Sequence, residues 1–68
     1  MLSEQLDLAE RHVAGGAAVI GRQVALIQKI RRQGLDARRA ERLLKQFEYT
    51  QTLWVTHRDQ LLELFAVG

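Results

Sequence analysis

Apolar residues recur at seven-residue steps on both sides of one central interruption. Before it, Leu6, Val13, Ile20 and Ile27 are spaced by seven, with Ala9, Gly16, Gln23 and Ile30 three positions further on. After it, Ala40, Phe47, Trp54 and Leu61 repeat the spacing, followed at three positions by Leu43, Thr50, His57 and Leu64, with Leu44 and Phe65 adding breadth. Such a stripe, with a period of about 3.5 to 3.6 residues, is the mark of an amphipathic helix with a coiled-coil-like seam. The interruption is Gln33-Gly34-Leu35-Asp36. Gly34 suits the left-handed position that ends many helices, Leu35 the apolar residue beyond it, and Asp36 the N-cap of a second helix. The pattern predicts a helix over 4–33, a turn at 34–36 and a helix over 37–66. Ser3 is the expected first N-cap, with Glu4 and Asp7 where the helix dipole favours negative charge. The fold class is all-α: an antiparallel two-helix hairpin forming one domain.

Tyr49–Thr56 is rich in strand-favouring residues. The helical stripe runs unbroken through it and no second strand exists to pair with it, so helix prevails. Folding the chain at Leu35 sets residue i opposite about 70 minus i. Trp54 then faces Gly16, Leu61 faces Ala9 and Leu43 faces Ile27. Mid-helix glycine costs about 1 kcal/mol against alanine, and room for the indole is the expected reason for Gly15-Gly16. Ala17, Gly21 and Ala25, at i+4 steps, form a smooth row that another helix could approach. Gln23, Thr50 and His57 are the expected polar residues of the seam, able to fix its register, with Gln46 and Gln51 lying more openly beside it.

Length changes the picture next. A chain of 68 residues buries only about 60% of its unfolded surface. Small folds compensate with disulfides, metals or self-association. There is no cysteine, so disulfides and thiolate metal sites are excluded. Val19, Leu26, Leu53, Val55, Leu62 and Phe65 sit beside or outside the main stripes, more apolar surface than one hairpin hides. They are the candidate interface of a homodimer or higher homo-oligomer, two hairpins pairing into a four-helix bundle. The longest uncharged apolar run, Val13 to Gly21, has nine residues, against about twenty needed to span a bilayer. The acidic start lacks the order of a signal peptide. A soluble, cytoplasmic protein with no membrane partner is expected.

The charge is unevenly spread. Between residues 29 and 45 lie Lys29, Arg31, Arg32, Arg38, Arg39, Arg42 and Lys45 against Asp36 and Glu41, a net of +5, and the rest of the chain carries −3. In a hairpin the positive set gathers at the turn. Such a tip is the candidate surface for an acidic protein partner, for phosphates of a nucleic acid, or for the acidic end of another hairpin. It can equally be a solvated helix end, favoured by the dipole. No aromatic residue is interleaved there to stack on bases.

Catalytic chemistry finds no support. The only serine is Ser3, and the glycines are not in a phosphate-cradling loop. His12 and His57 approach in the fold-back, but without metal-ligand spacing they read as packing residues. No cofactor and no metal are expected. Asp7/Arg11 and Glu41/Lys45 are helix-supporting i, i+4 pairs.

His12-Val13, Gly16, Ile20, Gln23, Leu26-Ile27, Gly34, Asp36, Ala40, Leu43-Leu44, Phe47-Glu48, Gln51 and His57-Arg58 with Leu61-Leu62 together resemble a group of small, uncharacterised bacterial helical-hairpin proteins. Their pattern is H-V-x-x-G-x-x-x-I-x-x-Q before the turn and F-E-x-x-Q-x-x-H-x-x-H-R-x-x-L-L after it. Trp54 stands where that pattern has the first histidine of H-x-x-H, which puts a metal role for the pair in doubt here. The resemblance implies no activity. In architecture alone the hairpin is also similar to small dimeric RNA-binding hairpins that form four-helix bundles. The expected function is a small non-enzymatic protein–protein interaction or assembly module; the alternative is nucleic-acid binding through the basic turn end of a dimeric hairpin.

Overall fold

The computed structural model describes residues 1–67; Gly68 lies outside the described residues. Two helices account for nearly all of it: α1 (Leu2–Arg32) and α2 (Arg38–Val67). They fold back on each other as an antiparallel hairpin, a rod with extents of 54 × 14 × 14 Å. Helix α1 begins at Leu2, so Ser3 lies inside its first turn and not at the cap, and no side chain caps that end.

The turn forms as its residues dictate. Gly34 has φ +74°, a conformation cheap only for a residue without Cβ. The Gly34 N–H donates to the Arg31 carbonyl at 3.0 Å and the Leu35 N–H to the Ile30 carbonyl at 3.1 Å. These are the two bonds of a Schellman motif, satisfying carbonyls that the end of α1 would leave orphaned. Asp36 then starts α2: its Oδ1 accepts the Arg38 backbone N–H at 3.0 Å, and its carboxylate also takes the Arg38 guanidinium at 2.8–3.1 Å. The Arg38 side-chain bond, followed by its backbone bond, lowers the Asp36 carboxyl below its ordinary value. A depressed carboxyl favours the folded state above the free aspartate value of about 3.9 and loses that contribution as pH falls through its folded value.

The seam keeps the seven-residue register on both helices. On α1 it runs through Leu6, Ala9, Val13, Gly16, Ile20, Gln23, Ile27 and Ile30, all buried or half-buried. On α2 the first column is as expected (Ala40, Phe47, Trp54, Leu61), but the second is Ala37, Leu44, Gln51 and Arg58. Leu43, Thr50, His57 and Leu64 are exposed. The correction is one of helical phase: the second column lies four residues after the first, on the opposite shoulder from the more apolar-looking one. Leu44, not Leu43, lines a groove with Ile27.

Two glutamines tie the seam. Gln23 Nε2 donates to the Ala40 carbonyl at 2.9 Å, and Gln51 Nε2 donates to the Val13 carbonyl at 2.8 Å. Each helix thus sends one amide to the other's backbone, and a one-turn slip breaks both bonds. Register specification by polar seam residues holds for Gln23 and passes from Thr50 to Gln51. Gly16 makes room for this amide, not for the indole: a Cβ there would collide with Gln51 Oε1 and lie 2.8 Å from its Cδ. Oε1 is buried and accepts no conventional hydrogen bond; it faces the Gly16 Cα–H, a weak donor.

The core is thin. Ala9, Ile27, Ala37 and Leu61 are its only buried apolar residues among those described. Two of the four are alanines, so Ile27 and Leu61 carry most of the fully buried side-chain volume.

Candidate interaction surfaces

The hairpin presents two long open faces, one on each side of the seam. The first is centred on a groove of about 450 Å³ lined by Arg11, His12, Gly15, Gly16, Val19 and Arg22 from α1 and by Phe47, Thr50, Gln51 and Trp54 from α2. Trp54 lies over His12, ring centroids 4.1 Å apart and planes 30° from parallel. His12 is therefore engaged by an aromatic ring, and His57 is exposed. Among the described residues no group of three metal-ligating side chains forms.

The second face has a smaller groove of about 290 Å³, lined by Val24, Ile27, Gln28 and Arg31 with Glu41, Leu44, Lys45 and Glu48. Arg31 Nη2 bridges it to Glu41 Oε1 at 2.8 Å. Both partners are substantially exposed, so the pair adds little stability, but it fills that groove with charge.

Helical spacing divides the six apolar interface candidates between these faces. Val19 lines the Trp54 groove, Leu26 lies one seven-residue step beyond it, and Leu53 is three residues from Thr50 on the same side. Val55 and Leu62 follow Glu48 at seven-residue steps on the other side. Phe65 continues the seam beyond Leu61 and is exposed at the end of the rod. The small-residue row of Ala17, Gly21 and Ala25 is exposed, and nothing of the chain approaches Gly21 within 4 Å.

The seven tip cations all gather at the turn end, where α1 ends and α2 begins. Arg31 is held by Glu41 and Arg38 by Asp36. Lys29, Arg32, Arg39, Arg42 and Lys45 have no carboxylate within 4.0 Å among the described residues, so the expected Glu41/Lys45 pair does not form, Glu41 being taken by Arg31, and Asp7 and Arg11 do not pair either. Charge pattern alone does not separate these five from the two engaged arginines. The signal lay in Asp36 preceding Arg38 by two, within side-chain reach of the cap, and in Glu41 opposite Arg31 across the turn.

Among the described residues no helix is long and apolar enough to cross a membrane. Comparison with protein-family models, with curated proteins and with solved structures finds no match.

Proposed function

We propose that this chain is a small non-enzymatic assembly module whose hairpin pairs with a second copy into a four-helix bundle. The observation that supports this is surface area. A compact monomer of 7.8 kDa is expected to expose about 4400 Å², whereas the hairpin exposes 5316 Å². The surplus of about 900 Å² matches the roughly 800 Å² that each partner buries in a standard interface. Large apolar side chains contribute to the exposed area: Leu8, Leu26, Leu43, Leu53, Leu62 and Phe65 are all exposed. Two layers of helices give these side chains the core that a single hairpin lacks.

Light scattering tests this. The expected solution mass is at least twice 7.8 kDa at both low and high salt, because apolar burial is insensitive to screening. A mass of one chain at all micromolar concentrations overturns the proposal. An assembly that dissolves as salt rises means that the charged tip, not the apolar face, holds the copies together.

A second reading rests on the five unpaired cations. Guanidinium and ammonium groups without carboxylate partners are available to phosphates, so the tip is proposed as the contact for a nucleic acid backbone. Arg32→Glu with Arg42→Glu is the clean test, since neither residue takes part in the turn's hydrogen bonds. The expected result is loss of single-stranded RNA binding with helix content unchanged, and a log-linear fall of wild-type affinity with salt. Binding that is flat with salt, or that survives both substitutions, removes this reading.

A further inference from the structure

We infer that the surface of self-association is the Trp54 face and that the second copy lies on it antiparallel, with each basic tip over the partner's chain ends. This rests on the assembly reading above and adds the face and the direction to it.

Charge selects the face. Within α1 and α2 the seven-residue columns running through His12, Gly15, Thr50 and Leu53 carry no aspartate or glutamate; Asp36, at the same spacing, lies in the turn between them. The columns flanking the other groove carry Asp7, Glu10, Glu41, Glu48 and Asp59. Covering those would strand carboxylates away from water, which is costly unless each finds a partner. On the Trp54 face the four columns carry Arg22, Lys29 and Arg39 as their charged residues, and Arg11 adds a further cation at the groove's edge. Arg22 and Lys29 share the column of Gly15, and Arg39 that of Leu53; their long stems lie across apolar surface while the heads reach water, as a shorter carboxylate side chain cannot.

Position and charge together select the direction. The Trp54 groove spans residues 11–22 and 47–54, close to the midpoints of Leu2–Arg32 and Arg38–Val67. A patch at the middle of a rod mates with itself under a two-fold axis, the rule for symmetric dimers. Two such axes are available. The one along the rod sets tip beside tip, +5 against +5. The one across the rod sets each +5 tip beside the partner's −3 end, and complementarity favours it.

The crosswise axis also gives the small residues a purpose. With its centre near residue 17, it sets Val19 over the partner's Gly15 twice, and Leu26 over the partner's Leu8. Gly15 is exposed and a Cβ there meets nothing within 4 Å of its own hairpin, so the hairpin itself does not require glycine at that site. On the same levels Lys29 comes near the partner's Glu4 and Arg39 near the partner's Glu63. One level opposes the arrangement: Arg22 comes near the partner's Arg11, at a solvent rim where screening is strong.

A matched pair of substitutions tests the face. Gly15→Glu and Gly21→Glu make the same change at two open helical sites, so both leave the hairpin helical by circular dichroism. Gly15→Glu is expected to weaken dimerisation at least about tenfold, because it drives a carboxylate into the mated surface; Gly21→Glu is expected to leave it unchanged. The reverse pattern overturns the face while leaving self-association standing. Direction is read separately. The chain has no cysteine, so a spin label on Leu35→Cys reports one tip-to-tip distance in the dimer by double electron–electron resonance. The antiparallel pair places that distance near the 54 Å rod length; a separation below about half of it means parallel copies and overturns the direction. A wild-type chain that light scattering finds monomeric ends both this inference and the reading beneath it.

Discussion

Replacing Ile27 with alanine is expected to unfold a large fraction of the protein at room temperature, although it removes only three methyl-sized groups. Ile27 is 5% exposed and is one of two large apolar side chains that the hairpin buries, Leu61 being the other. Truncating such a residue costs about 2–5 kcal/mol, the transfer term plus the cavity left behind. Against that stands a total of about 3–10 kcal/mol at ordinary per-residue stability for this length, and a thin core belongs near the lower end. A 1 kcal/mol loss shifts the melting temperature of a domain this small by about 4–8 °C, so a fall of about 8 °C or more is expected for Ile27→Ala and for Leu61→Ala. The comparison is with Leu43→Ala, which removes a side chain that is 40% exposed and should cost far less. All three are melted at one protein concentration, since an assembling protein gains stability by mass action. If Leu43→Ala matches Ile27→Ala at protein concentrations low enough for the single hairpin to dominate, where no second copy covers Leu43, the seam does not run through Leu44.

That comparison marks where the sequence was legible and where it was not. The hairpin and its turn could be read because they depend on local chemistry. Only glycine is cheap at φ +74°, and an aspartate two residues before a free N–H caps it wherever the rest of the chain goes. The first column of each helix was also legible, being apolar at every step. The second column of α2 was not, because its members include Gln51 and Arg58, while Leu43 and Leu64 sit in the column that looks more like a core. Arg58 holds a seam position through its stem, its head turned out to Asp59 at 3.0 Å. Hydropathy alone ranks such positions wrongly. What decides between shoulders is the phase of one helix against the other, a tertiary quantity. The tip was legible as a concentration of charge, but its division into engaged and unengaged cations needed the geometry of the turn.

Gly16 shows how a hydropathy pattern hides a polar reason. Alanine at Gly16 and alanine at Gly21 are the same change on the same helix, and they are expected to have opposite signs. At Gly21 a Cβ meets nothing within 4 Å, so Gly21→Ala should stabilise the protein by about 1 kcal/mol, the helical preference for alanine over glycine. At Gly16 the new methyl takes the place of Gln51 Oε1. The amide cannot retreat without giving up its 2.8 Å bond to the Val13 carbonyl. Overpacking costs about 1–3 kcal/mol and stranding a half-buried amide about 1–3 more; propensity returns only about 1. A net loss of about 1–5 kcal/mol is expected, seen as a lower urea midpoint with an unchanged slope. The cause is separable from a general crowding of the seam. In a Gln51→Ala background the amide is gone and the space is open, so adding Gly16→Ala there should cost nothing or stabilise, giving a coupling of about 2 kcal/mol or more in the double-mutant cycle. Additive losses would mean that the helices themselves, not the Gln51 side chain, close on Gly16. The glycine would then be kept for the approach of two backbones, and the amide bond to Val13 would be a consequence of that approach.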